Sequence, residues 1–293
     1  MSWNRRQMLF ASGAALIGSA ALGRGRTFAA ETGSGKKVLF FTKSSGFEHS
    51  VIARKEGKPA LAERILTEIG KEHGFEVVAS KDGRLFDPDK IGQWDAFAFE
   101  TTGDLTTHGD HKDGEPMSKD GKQAFLDAIR DGKGFVGMHC ASDTFHSRGD
   151  QIDPYIEMLG GEFITHGAQQ KAKLLVADPG FPGAHPFVKS FEINDEWYAL
   201  KNQADDLHVI IAHDTKEMKG KMYERPNFPE TWARMHGKGR VFYTSMGHRE
   251  DVWENPFYQG LLMGALSWAT GKVDANVAAN ISAVTPGYKT VGS

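Results

Sequence analysis

Gly134-Phe135-Val136-Gly137-Met138-His139-Cys140-Ala141 runs an apolar stretch into a His-Cys pair where the chain must turn. The pattern predicts an elbow: a buried strand, a sharp turn that presents one side chain, then a helix. The presented side chain is His139. An imidazole there is suited to moving protons or binding a metal rather than to forming an acyl-enzyme. Cys140, one residue on, is expected to pack inward as a small apolar side chain.

Two further histidines follow apolar strands. His49 lies in Ser44-Ser45-Gly46-Phe47-Glu48-His49-Ser50, and His248 in Ser245-Met246-Gly247-His248. Gly247 allows the close backbone approach a site needs. Asp195-Glu196-Trp197-Tyr198 sets two acids beside two aromatics. Carboxylates grip hydroxyls, and aromatic faces stack on the apolar faces of sugar rings. Strand alternation would put Glu196 on the same face as Tyr198, which favours it over Asp195. A half-buried carboxylate beside a Trp has a raised pKa suited to acid/base work. His49, His139 and His248 at one rim would suit zinc or another divalent cation with an open position. No local His-Glu-x-x-His motif supports that reading; the structural alternatives are a buried His139 donating to a backbone carbonyl, a turn at His49 with Ser50 capping a helix, and His248 as a polar residue at a helix start. Other polar candidates are His166, His185-Pro186, Arg234, Arg240 and a loop carrying His108, Asp110, His111 and Asp113.

The elements that must hold these groups alternate. Strand patterns occupy 37–42, 75–79, 94–99 and 135–138, and helical patterns occupy 58–73 and 118–131. This implies an α/β three-layer sandwich around a mostly parallel, doubly wound sheet, with ligands at the carboxyl ends of strands. Farther on, a helix is expected over 153–159, strands over 173–176 and 207–212, and a hairpin of 231–236 and 240–244 around Gly237-Lys238-Gly239. A final helix spans 256–270. The stretch between Ser142 and Glu196 reads as a long irregular insertion, and 274–293 as a loose tail.

Residues 1–30 read as a twin-arginine export signal, with Asn4-Arg5-Arg6-Gln7-Met8-Leu9-Phe10 and cleavage near Ala29 or Ala30. The domain then spans 31–273, and the location is periplasmic or secreted. The signal holds Arg5, Arg6, Arg24 and Arg26 and no acid, so cleavage leaves 31 basic against 38 acidic side chains, a net charge of about −7. Without a basic tract, nucleic acid and anionic membrane are excluded as partners. The lone Cys140 excludes an intrachain disulfide and a Cys-based zinc cluster. The final helix and the aromatics Trp253 and Phe257 could form a homodimer contact.

In order, 41–49, 134–139, 160–163, His185-Pro186, 195–198 and 237–248 resemble the trehalose-utilisation (ThuA-like) family, whose fold is related to class I glutamine amidotransferases. The likeness runs from Lys37 to Gly271. It departs from a working amidotransferase at His139, which replaces the nucleophilic Cys, so glutaminase activity is not expected. The resemblance implies a carbohydrate substrate, trehalose-related or 3-keto glycosides, and acid/base chemistry with or without a metal: isomerisation, elimination or hydrolysis. His139, Glu196, His49 and His248 would be catalytic, and Phe47, Trp197, Tyr198 and Arg240 would bind the sugar. The alternatives are a non-catalytic sugar-binding protein and a metal-dependent hydrolase of another small molecule.

Overall fold

Val38, Leu39, Phe40 and Phe41 show no alternation because both faces of their strand are covered. The computed structural model describes residues 35–184 and 188–291. The export signal and His185-Pro186 lie outside the described residues. In chain order the elements are β1 (Lys36–Phe41), α1 (Leu61–Glu72), β2 (Phe75–Ser80), β3 (Ala96–Phe99), α2 (Lys119–Arg130), β4 (Gly134–Met138) and α3 (Pro154–Leu159). There follow β5 (Glu162–His166), β6 (Gln170–Val176), β7 (Ser190–Asp195), β8 (Tyr198–Lys201) and β9 (His208–His213). The chain closes with β10 (Pro229–His236), β11 (Gly239–Thr244), α4 (Glu250–Trp253), α5 (Pro256–Ala269) and α6 (Ile281–Val284).

Nine strands form one sheet in the order β2-β1-β3-β4-β11-β10-β9-β6-β7. The first five pair in parallel, and the remaining pairings are antiparallel. Only β6 and β10 run against the other strands. Val38 and Phe40 join one apolar cluster, with Ala62, Ile65 and Leu66 of α1 and Leu261, Leu262 and Trp268 of α5. Leu39 and Phe41 join another, with Phe125 and Ile129 of α2 and Tyr155 and Ile156 of α3. Strand alternation sends these two sets to opposite faces of the sheet.

Local chemistry fixes the helix ends. Ser118 accepts the Gly121 N–H at 2.9 Å, Asp153 the Tyr155 N–H at 2.9 Å, and Asn255 the Phe257 N–H at 2.9 Å. Pro154 and Pro256 occupy first-turn positions, where no N–H is missed.

Two expectations need correction. The stretch between Ser142 and Glu196 is not an irregular insertion: β6 and β7 extend the main sheet, and β5 pairs with β8 in a second, two-stranded sheet. The tail is not loose. Asn280 bonds both ways to Val209, accepting at 2.6 Å and donating at 3.1 Å, and Ile281 and Tyr288 are buried.

Candidate functional site: a three-histidine, one-carboxylate cluster

The four residues that carry this site all follow strands pointing the same way. His49 comes after β1, His139 after β4, Glu196 after β7 and His248 after β11. One potential ligand atom from each lies within 4.8 Å of the others. His139 opens a 3₁₀ turn with φ 39°, a left-handed conformation that a non-glycine residue adopts only when its surroundings impose it. Its Nδ1 lies 2.8 Å from the carbonyl of Ser245. A carbonyl only accepts, so Nδ1 carries the proton and Nε2 faces the cluster. That Nε2 is 3.6 Å from Glu196 Oε2 and 3.3 Å from His248 Nδ1. His248 Nδ1 is in turn 3.2 Å from Glu196 Oε2.

Glu196 lies in the connection between β7 and β8, so strand alternation does not govern it. Its neighbour Asp195 is the brace. Asp195 Oδ1 accepts the Glu196 N–H at 2.9 Å, and Oδ2 accepts the Gly247 N–H at 2.8 Å. One buried carboxylate thus ties the Glu196 segment to the His248 segment, although three strands separate β7 from β11. Gly247 has φ 125°, and a Cβ there would stand 2.5 Å from the Tyr258 hydroxyl, so no other residue fits.

Burial alone would raise the Glu196 pKa, but the neighbouring imidazoles of His139 and His248 outweigh it and hold the carboxyl well below its usual range. This reverses the expected raised pKa. Burial also works against a charged His248, yet Glu196 prevails and its pKa is raised. Burial, followed by the neighbouring His139 and His248, pushes His49 well below the usual imidazole value. Burial pushes the Cys140 thiol up, reinforced by Glu100, so Cys140 is no nucleophile.

The donors fit a divalent cation. Tetrahedral metal–ligand bonds of about 2.1 Å set ligand atoms roughly 3.4 Å apart, close to the 3.2–3.6 Å among His139, His248 and Glu196, while His49 lies within 4.8 Å of each. Among the described residues, the buried His49 Nδ1 has no hydrogen-bond partner. The Ser245 carbonyl behind His139 is the kind of outer partner that orients a ligating imidazole.

The expected sugar-binding residues divide. Phe47 is 68% exposed, with its ring 5.0 Å from that of His49. Trp197 is fully buried and donates its Nε1–H to the Gln170 carbonyl at 2.8 Å, so it offers no face to a ligand. Tyr198 is also buried, its ring 4.2 Å from both His139 and Phe163; it supports His139. Arg240 sits at the start of β11, whereas the cluster lies beyond the strand's end. There it binds the Trp268 carbonyl at 2.9 Å and Asp274 at 2.7 Å. Arg234 pairs with Asp206 at 2.9 Å. His108 lies 4.0 Å from Glu115, His111 3.9 Å from Glu48, and Asp113 pairs with Lys81. Among the described residues, that loop forms no metal-ligand group. Trp253 is buried and donates to the Gly247 carbonyl, so it is no dimer contact.

One neighbour of the cluster had no role from sequence. His166, at the end of β5, is half-exposed and places Nδ1 3.1 Å from Glu196 Oε1. Only the pairing of β5 with β8 brings it there, and no local motif announces that pairing.

The α/β sheet thus gathers three imidazoles and a carboxylate into a preformed polar centre beyond its strand ends. The trehalose-utilisation family model, ThuA, matches residues 37–269, and the chain belongs to that family, which ties it to carbohydrate metabolism. Its fold is similar to that of a ThuA-like protein from Bacteroides uniformis (18% identity, 87% of this chain and 98% of that one, TM-score 0.59). A ThuA-like protein from Parabacteroides merdae is similar too (16% identity, 89% and 97% covered, TM-score 0.60). So is a cytoplasmic protein from Salmonella typhimurium (12% identity, 80% and 99% covered, TM-score 0.53). No curated protein matches the chain in sequence.

Proposed function

We propose that this protein is an enzyme acting on keto-bearing carbohydrates, 3-keto glycosides related to trehalose, by cation-assisted acid/base chemistry. The single observation that carries the reading is the convergence of His49, His139, Glu196 and His248 within 4.8 Å. A divalent cation such as zinc, held by these four, would polarise a substrate carbonyl oxygen entering as a further ligand. A keto group acidifies the neighbouring C–H, so removing that proton opens isomerisation or elimination of the glycosidic bond.

In this reading the base is neither His139 nor Glu196. His139 is engaged at both ring nitrogens, and the lowered pKa of Glu196 makes it a weak proton acceptor. Both serve better as ligands. His166 is half-exposed at the edge of the cluster, and in this reading its imidazole exchanges the proton with solvent. Phe47 supplies the exposed aromatic face for the ring. The export signal read in residues 1–30 would place this chemistry in the periplasm or outside the cell.

The test is metal content together with turnover of a 3-keto glycoside by wild type, by chelator-treated protein and by His139→Ala. Wild type is expected to hold about one divalent ion per chain, and both treatments to lower turnover by two orders of magnitude or more (about a hundredfold). Undiminished turnover in His139→Ala rejects the reading.

A further inference from the structure

Glu230, the second residue of β10, is completely buried. Among the described residues, only neutral donors meet its carboxyl group. Oε1 accepts from the hydroxyls of Thr244 at 3.0 Å and Ser245 at 2.9 Å and from the Met246 N–H at 2.9 Å; Oε2 is bonded by Thr231. The three donors to Oε1 lie at the end of β11 and in the segment that leaves it and carries His248, whereas Thr231 belongs to β10 itself. The Ser245 carbonyl, in the middle of it, takes the Nδ1–H of His139. Two cluster residues therefore depend on how residues 245–248 are held, and Glu230 Oε1 holds the start of that segment beside the backbone bond from the Ser245 N–H to the Glu230 carbonyl at 3.1 Å.

We propose that Glu230 is a positioning residue of the site: through Ser245 and Met246 it aims the carbonyl that fixes the His139 ring, and so directs Nε2 at the cation position. Its effect on the cation rests on the reading above; its effect on the His139 ring does not. Burial pushes the Glu230 pKa up to about 7 against the pull of its donors, and in either protonation state Oε1 remains an acceptor. Gln can supply the same oxygen, and Leu cannot. With Leu, the Thr244 and Ser245 hydroxyls and the Met246 N–H lose their acceptor in the interior, and the segment must move to satisfy them.

The experiment compares wild type, Glu230→Leu, Glu230→Gln and Ser245→Ala, with zinc affinity from a competing chelator as one readout. The second readout is the His139 imidazole N–H resonance in protein carrying isotope-labelled histidine, assigned by its loss in His139→Asn. Glu230→Leu is expected to weaken zinc on the order of tenfold to a hundredfold and to shift or broaden the His139 resonance. Glu230→Gln is expected to retain both properties. A folded Glu230→Leu with wild-type zinc affinity and an unmoved resonance overturns the proposal. If Glu230→Leu does not fold, Ser245→Ala decides: the same two changes, smaller, support it, and neither change overturns it. Should wild type bind no zinc, the cation reading fails, and the resonance alone then decides the role of Glu230.

Discussion

Each imidazole of the cluster is held by a different force. His49 sits in a loop pinned where Thr102 donates to the Phe47 carbonyl at 2.8 Å. His139 is held by a carbonyl, and His248 by the Asp195 bridge to Gly247. The three histidines were legible in the sequence because each follows an apolar strand, and strand ends of an α/β sheet share a rim. The orientation of the aromatics was not legible, since Trp197 packs into one apolar cluster and Tyr198 into the other, and both clusters are built from residues distant in the chain. Phe47 is the exception: no core contact explains its exposure. Stacking on a sugar ring contributes about 1 kcal/mol, so Phe47→Ala is expected to raise KM about fivefold with kcat near wild type. Trp197→Ala is expected instead to destabilise the fold by on the order of 3–5 kcal/mol. Steady-state kinetics beside thermal melts separates the two, and a Phe47→Ala enzyme with unchanged KM removes Phe47 from the substrate cleft.

Among the elements, α1 is tied to the sheet by Glu63. Its carboxylate accepts the Ala60 N–H at 2.9 Å, the Thr42 hydroxyl at 2.7 Å and the Arg54 guanidinium at 2.9 Å. Burial alone would raise its pKa, but Arg54, Thr42 and Ala60 together bring it below the ordinary glutamate value of 4.5. A depressed carboxyl stabilises the fold fully above its unfolded pKa, and that stability is lost as pH falls through the folded value. The wild-type melting temperature should therefore drop more steeply than that of Glu63→Gln as pH is lowered below 4.5. Parallel curves would show that Glu63 contributes nothing there. The helix itself was legible from the spacing of Leu61, Ile65, Leu66 and Ile69. Strand β6 was read only in part, because Gln170-Lys171-Ala172-Lys173 alternates with charge, as a strand with one wet face does, and such short polar alternation resembles loop sequence. The missed pairing of β5 with β8 is what left His166 without a role.

For the whole molecule, the least legible feature was the course of the chain after Asp274, whose composition resembles a linker. The packing says otherwise. The Ala278 carbonyl meets His208 at 2.8 Å, and Asn280 bonds both ways to β9. Arg225, itself buried, donates to the Tyr288 carbonyl at 2.6 Å. Ile281 and Tyr288 belong to the same apolar cluster as α2 and α3. Burying two such side chains stabilises by roughly 1.5–3 kcal/mol each, and losing the carbonyl would leave a guanidinium hydrogen bond unmade in the interior. Ending the chain at Gly271 should therefore cost on the order of 4–6 kcal/mol, a large share of the roughly 5–15 kcal/mol that holds a domain together. All four cluster residues precede that point, so the truncated protein should bind a cation in proportion to its folded fraction. Urea unfolding measures the first effect and metal titration the second. A truncated chain with the wild-type urea midpoint would show that the contacts made after Gly271 add nothing to the stability of the sheet they cover.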